Sequence, residues 1–104
     1  MLPNGVAPFR ILTCGERGRF ALVGELDMTE AGDCFDQLSA PAKEGCLRLD
    51  TSRLTFLDST GIRVLLMLAE LGEGITLERP RPNVRRVLEV AGLGSVEGIR
   101  IEDA

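Results

Sequence analysis

Residues 62–71 constrain the fold of this chain more than any other segment, because all of them except Arg63 and Glu70 are apolar. A helix of this composition must be covered by protein on most of its surface. The run is much shorter than the ~20 apolar residues that span a bilayer, so it predicts a buried helix inside a folded domain. One side of the helix differs, and the helical period aligns its members in a stripe: Ser59, Arg63, Met67 and Glu70.

The segments before this run predict a hairpin followed by a helix. Two strand-like runs, 9–14 and 20–23, are joined by a short polar connection with flanking glycines, which is typical of a β-hairpin. Asp27 and Glu30 are then spaced like a capping box, and apolar residues follow at helical spacing. These apolar residues are Ala31, Cys34, Phe35 and Leu38. Pro41 is expected to end this first helix.

The segments around and after the apolar run add two more strands and a third helix. A short strand at 46–49 is expected to end in the polar residues 50–53, after which the chain returns to the core. Residues 75–78 have the composition of a fourth strand. Pro82 suits the first turn of a helix, and Gly92 is a natural residue for its C-terminal cap. The apolar residues between them recur at helical spacing: Val84, Val87, Leu88 and Ala91.

A last strand at 99–101 completes the order β-β-α-β-α-β-α-β. Helices that separate the later strands indicate an α/β fold, with a mixed, mostly parallel sheet and helices packed against it. The length favours one domain over residues 1–104. In such sheets the functional crevice lies at the carboxyl ends of the strands, and the loop that carries Asp58 and Ser59 follows the third strand there.

The charge and composition favour a protein partner or a small ligand over nucleic acid. The chain has a net charge of −4, a pI near 4.8 and no Trp or Tyr to stack on bases. It also has no histidine, which removes the usual general base and the commonest metal ligand. We therefore expect no catalytic activity, no metal and no cofactor. No segment resembles a signal peptide, so a cytoplasmic location is expected.

The three cysteines, Cys14, Cys34 and Cys46, are odd in number and widely spaced. This spacing argues against both a disulfide framework and a zinc cluster. We expect the three side chains to be buried as small apolar groups, with a reactive thiol as the minority alternative.

Ser59 has two interpretations when it is taken alone. Serine is strongly favoured as a helix N-cap, whereas the positive end of the helix dipole would also accept a phosphate on the same hydroxyl. Asp58 is either a cap for the loop amides or a recognition group. Thr60 is expected to be a helix-start residue, and Gly61 to permit close packing or an unusual backbone angle.

Several charged and apolar positions also have a default structural role beside a functional one. Arg63 is by default a solvated charge and Met67 a core side chain, with contact to a partner as the alternative for both. Four further arginines form a local basic patch around the third helix: Arg79, Arg81, Arg85 and Arg86. Surface solvation is the default for this patch, and an acidic partner or a nucleotide phosphate is the alternative.

Three segments of the chain are similar to a known family. Gly24-Glu25-Leu26-Asp27 precedes the first helix, Asp58-Ser59-Thr60-Gly61 opens the second, and residues 82–88 followed by Ala91-Gly92-Leu93 form the third. They resemble the Gly-Glu/Asp-hydrophobic-Asp turn, the Asp-Ser-Ser/Thr-Gly phosphorylation loop and the last long helix of the STAS domain family. Within that family the chain is most like the stand-alone anti-sigma factor antagonists of bacteria. The resemblance runs from Phe20 onward.

The resemblance implies that Ser59 is phosphorylated by a partner anti-sigma factor, which is itself an ATP-dependent serine kinase. The unphosphorylated protein would bind this partner and the phosphorylated protein would release it, with no direct contact to nucleic acid and no membrane insertion. The resemblance does not specify the oligomeric state. We expect the partner-binding residues to lie in the two loops and on the stripe: Asp27, Met28, Thr29, Asp58, Thr60, Gly61, Arg63 and Met67.

Two other functions remain as alternatives. One is a STAS regulatory subunit bound to the ATPase of a bacterial lipid-transport ABC system. Such subunits resemble this chain in size but commonly carry Thr at the position of Ser59, which favours the antagonist. The other is a small enzyme or nucleotide-binding domain, for which the chain lacks a Gly-rich phosphate loop and clustered metal ligands.

Overall fold

The computed structural model describes residues 8–103, and these form the predicted succession of strands and helices. The elements are β1 (Arg10–Thr13), β2 (Arg19–Leu26), α1 (Ala31–Lys43), β3 (Leu47–Leu57), α2 (Ser59–Leu71), β4 (Ile75–Glu78), α3 (Pro82–Val90) and β5 (Ile99–Glu102). A single 3-10 turn, Leu93–Ser95, connects α3 to β5. The predicted order β-β-α-β-α-β-α-β is confirmed.

The five strands form one mixed sheet in the order β1-β2-β3-β4-β5. Among the described residues, only the β1–β2 pair, which is the predicted hairpin, is antiparallel, and the other three pairs are parallel. Helix α1 packs against α2, α2 contacts β3 and β4, and α3 contacts β3. The predicted α/β fold with a mostly parallel sheet is therefore confirmed. Within residues 8–103, no helix is long and apolar enough to cross a membrane.

The core is built mainly from leucines of the central strands and of α2. The fully buried members include Leu22, Leu26, Leu49, Leu54, Leu65, Leu68 and Leu77. Burial of such side chains is the main stabilising contribution in a domain of this size. As predicted, α2 is buried on most sides, and its stripe of Ser59, Arg63, Met67 and Glu70 is exposed.

Helix α1 does not end at Pro41, so that prediction was wrong. The helix continues to Lys43, and the Glu44 N–H then donates to the Pro41 carbonyl at 3.2 Å. Proline removes one helical hydrogen bond, but Ala42 is only 1% exposed and anchors the last turn in the core. Packing therefore outweighs the local penalty.

Strand β3 is longer than predicted, because the polar residues 50–53 lie within it and do not end it. The polar side chains in this stretch have partners. The Thr51 hydroxyl donates to the Glu78 carbonyl at 2.8 Å, and Asp50 pairs with Arg79 at 2.5 Å. Between Asp50 and Phe56, β3 has more residues than the part of β2 that pairs with it, and two register shifts accommodate the difference.

The cysteines differ in their exposure. Cys34 is buried as predicted, and burial raises the pKa of its thiol to about 12. Cys14 is only partly buried and Cys46 is exposed, so the prediction was wrong for Cys46. Cys46 lies just before β3, ahead of the first strand residue that enters the core. All three thiols are free.

One face of the sheet carries a set of ion pairs, here called the charged ladder: Arg19, Arg48, Glu78 and Glu102. Glu78 is 6% exposed and accepts hydrogen bonds from Arg19 Nε at 3.2 Å and from Arg48 Nε at 3.0 Å. Arg48 also donates to Glu102 at 3.2 Å. Burial would raise the pKa of Glu78, but the hydrogen bonds and charges of Arg48 and Arg19 hold that pKa below its ordinary value.

Candidate functional site

The ends of β2 and β3 lie side by side and bring the two predicted loops together. Leu26 and Leu57 are paired in the parallel register, so Asp27 and Asp58 follow them at the same edge of the sheet. The Asp58 N–H donates to the Leu26 carbonyl at 3.4 Å. The loops that the sequence separates by about a third of the chain thus form one surface.

Asp58 is the N-cap of α2. Its Oδ1 accepts hydrogen bonds from the N–H groups of Thr60 and Gly61, both at 3.0 Å, while its carbonyl accepts the Ile62 N–H at 3.0 Å. Its backbone is extended, as an N-cap requires. The carboxylate also lies at the positive end of the helix dipole. Of the two interpretations of Asp58, capping is confirmed.

Ser59 is not the cap, so that interpretation was wrong. It is the first residue of α2, its side chain is exposed, and within residues 8–103 its hydroxyl makes no hydrogen bond. Capping bonds run to the second and third helical residues, and these N–H groups already belong to the Asp58 carboxylate. The Ser59 hydroxyl is therefore free to react without breaking the helix start.

Asp27 repeats the same geometry one strand away. Its Oδ1 accepts from the N–H groups of Thr29 at 3.0 Å and Glu30 at 3.2 Å. The second half of the predicted capping box is absent among the described residues, because the Glu30 side chain makes no bond back to Asp27. Helix α1 starts at Ala31, so Asp27 caps a turn that precedes the helix.

Gly61 permits the close approach of α2 to the ends of β2 and β3. A Cβ atom at this position would lie 2.6 Å from Leu57 Cδ1 and 2.8 Å from the Leu26 carbonyl oxygen. Real Cβ atoms do not come this close to such neighbours, so only glycine fits. The expectation of close packing is confirmed, and the role of Gly61 here is structural.

Of the remaining predicted partner residues, Thr60 is half-buried in the first turn of α2, and the others lie on exposed surface. Met28 is 76% exposed and Met67 40% exposed, and both Thr29 and Arg63 are exposed. Met67 lies eight residues beyond Ser59 in α2, or about 12 Å along the helix axis. Exposure shows that Met67 is not core filler. The structure thus places the loop residues together and Met67 farther along the same helix face.

An apolar groove beside Ser59 was not predicted. It has a volume of about 360 Å³ and is lined by Ser59, Ile62, Arg86, Val87, Val90 and Ala91. Val90 is 83% exposed. A signal was present in the sequence, because Val90 lies off the α3 face that buries Val84 and Leu88 and is still apolar. Helical period alone does not show that this face meets the start of α2.

Two of the four arginines in the predicted basic patch are held in ion pairs. Arg79 pairs with Asp50 at 2.5 Å, and Arg85 pairs with Asp103 at 2.9 Å and with Glu89 at 3.9 Å. In the described part of the chain, Arg81 and Arg86 form no ion pair. Of these two, only Arg86 lines the groove beside Ser59.

Solved structures with the same fold include several anti-sigma factor antagonists. SpoIIAA in its unphosphorylated form is 25% identical, with a TM-score of 0.67 over 90% of this chain and 87% of that chain. An antagonist from Mycobacterium paratuberculosis is 24% identical, with a TM-score of 0.74 over 89% of this chain and 86% of its own. The Bacillus cell fate determinant SpoIIAA in its phosphorylated form is 22% identical, with a TM-score of 0.63 over 90% of each chain.

Comparison with the curated proteins finds no match. The family is identified by a model of its sequences. The family model described as "Mlab, STAS domain" matches residues 12–100, which is most of the chain. The fold, the paired loops at the carboxyl edge of the sheet and this match agree with the predicted resemblance. The chain therefore belongs to the STAS domain family.

Proposed function

We propose that this protein is an anti-sigma factor antagonist that binds an anti-sigma factor kinase while Ser59 is unphosphorylated and releases it when Ser59 carries a phosphate. The observation that carries this proposal is that capping and the exposed hydroxyl belong to different residues at the start of α2. Asp58 caps the helix, and the Ser59 hydroxyl beside it is exposed and unbonded within the described residues. A kinase can therefore reach the hydroxyl without unfolding the helix.

The comparisons support the same role. The similar solved structures are antagonists, and SpoIIAA is among them in both an unphosphorylated and a phosphorylated form. The partner surface that we propose surrounds Ser59 and comprises Asp27, Met28, Thr29, Asp58, Thr60, Arg63 and Met67. The buried Gly61 belongs to it indirectly, because it lets α2 approach the strand ends. The exposed Met28 and Met67 side chains provide adaptable apolar contacts on this surface.

Phosphorylation would change the charge of this surface more than its shape. It adds about −1.5 to −2 charges and three acceptor oxygens beside the Asp58 carboxylate. An interface that buries a neutral hydroxyl there would then have to desolvate a dense negative cluster. A loss of ~3–4 kcal/mol in binding free energy corresponds to several hundred-fold in affinity. A change of this size is enough to convert the partner from the antagonist-bound to the free state.

The test uses purified protein, ATP and candidate anti-sigma kinases from the same genome. Mass spectrometry should place the phosphate on Ser59, and Ser59→Ala should abolish it while binding the kinase constitutively. Ser59→Asp should bind poorly. Ser95→Asp is the matched control, since it adds the same charge at an exposed serine in the turn after α3. Equal binding by Ser59→Ala and Ser59→Asp would falsify the switch.

A second candidate follows from the family match itself. The matched family model bears the name Mlab, so family membership alone does not separate an antagonist from a STAS regulatory subunit. Copurification with the ATPase of a lipid-transport ABC system, together with no phosphate on Ser59, would favour that second function. In both cases we expect the chain to act by binding, without catalysis of its own.

A further inference from the structure

We propose that Arg86 of α3 receives the phosphate on Ser59, as an ion pair formed across the groove between the start of α2 and α3. This inference rests on the proposed function, because it assumes that Ser59 is the modified residue. By helical spacing alone, Arg63 would be the competing cation, because it lies one turn beyond Ser59 on the same helix. The inference also gives α3 a part in the switch.

The groove places the two side chains around one space. Ser59 and Arg86 both line this groove of about 360 Å³, and Arg63 does not line it. A phosphate ester on the Ser59 oxygen is bulky and has three outward oxygens. When it turns toward the groove it enters the space that Arg86 borders.

The usual anion position at the helix start is already occupied. The Asp58 carboxylate accepts the N–H groups of Thr60 and Gly61, which an incoming phosphate would otherwise use. Like charges repel, so the phosphate is driven away from this carboxylate. The groove is the neighbouring space on the side of α3.

Arg86 is the free cation at this groove among the described residues. Its neighbour Arg85 is engaged by Asp103 and Glu89, whereas Arg86 has no ion-pair partner within residues 8–103. The other groove residues, Ile62, Val87, Val90 and Ala91, are apolar. An ion pair against such walls is screened less than one in open water. The guanidinium also matches a phosphate in a bidentate manner.

The experiment measures the phosphate directly and needs no kinase. Phosphoserine is incorporated at position 59 during synthesis of the full chain, and its second pKa is measured by phosphorus NMR. An ordinary phosphoserine has a second pKa of about 6. Arg86→Ala should raise this pKa by roughly one unit relative to the otherwise unchanged phosphoprotein, because it removes an adjacent positive charge. Arg86→Lys should restore part of the difference.

Two matched variants make the result specific. Arg63→Ala tests the competing cation on α2. Arg81→Ala removes an exposed arginine that does not line the groove and has no ion pair within residues 8–103. Neither should move the phosphate pKa by more than a small fraction of the Arg86→Ala effect. An unchanged pKa in Arg86→Ala, or an equal shift in Arg63→Ala, would overturn the proposal. Thermal unfolding of the unphosphorylated variants checks that all of them fold.

The outcome separates this inference from the proposed function. Because the phosphate is introduced during synthesis, the measurement does not depend on any partner. If the binding assay shows the switch while Arg86→Ala leaves the phosphate pKa unchanged, that result would reject the Arg86 ion pair and keep the proposed function. A clear Arg86 effect without phosphorylation by any kinase would instead reject the proposed function and leave the ion pair in place.

Discussion

Asp58 holds the start of α2 through one carboxylate oxygen, which accepts two backbone N–H groups at 3.0 Å. Asp58→Ala should lower the free energy of unfolding by about 0.5–2 kcal/mol, because both bonds are lost. Asp58→Asn keeps an acceptor oxygen and should change stability by only a few tenths of a kcal/mol. Urea denaturation of the two variants measures the difference.

The control for this prediction is Asp27→Ala. Asp27 makes the same pair of bonds, but in a turn ahead of α1 and outside any helix. Its loss should therefore have a smaller effect than Asp58→Ala. If Asp58→Asn were as unstable as Asp58→Ala, the charge of Asp58 would matter more than its hydrogen bonds.

Gly61 offers a second test of the same edge, because an added methyl group has no room there. Gly61→Ala should destabilise the protein by about 1–3 kcal/mol through overpacking against Leu57 and the Leu26 carbonyl. Gly32→Ala in α1 is the matched control, since its Cβ would meet no atom within 4 Å. That variant should be neutral or more stable by up to about 1 kcal/mol. Equal effects in the two variants would contradict the close-packing role.

At the level of elements, periodicity and turn residues predicted the presence of each α-helix and strand in residues 8–103, but not the 3-10 turn at Leu93–Ser95. The errors arose where long-range contacts override local preference. Residues 50–53 have the composition of a turn, but they stay in β3 because Arg79 pairs with Asp50 and the Glu78 carbonyl accepts the Thr51 hydroxyl. Neither partner is near them in the sequence.

At the start of α2, the functional interpretation depends on which of two adjacent residues is the N-cap. Asp58 and Ser59 are adjacent, and both are favoured as N-caps, so composition alone does not choose between them. The choice depends on where β3 ends, because Asp58 leaves the strand with an extended backbone and Ser59 is already helical. The same holds for the groove, which two helices distant in sequence form together.

For the molecule as a whole, the charged ladder makes stability depend on pH. Burial alone would raise the pKa of Glu78, but its arginine partners lower it overall, so the folded state binds fewer protons than the unfolded state near pH 4.5. The contribution of Glu78 is therefore complete above that value and is lost as pH falls through the lower, folded pKa. The free energy of unfolding should be steady from about pH 7 to pH 5 and decrease below it.

Glu78→Gln should flatten this acid dependence and lower stability at neutral pH by roughly 1–3 kcal/mol, because hydrogen bonds to two charged groups are weakened. Glu97→Gln is the control, since Glu97 is exposed and has no ion pair within the described residues. Chemical denaturation across the pH range compares the two variants. An unchanged acid slope in Glu78→Gln would assign the pH dependence to other carboxylates.

The cap provided by Asp58 has a consequence for the lifetime of the folded protein. If the hydroxyl that capped the helix were also the modification site, its capping hydrogen bonds would have to break each time a kinase reached it. Here those two tasks belong to neighbouring residues. Under the proposed function, the modified molecules would persist as a folded reserve. Removal of the phosphate would then restore binding without new protein synthesis.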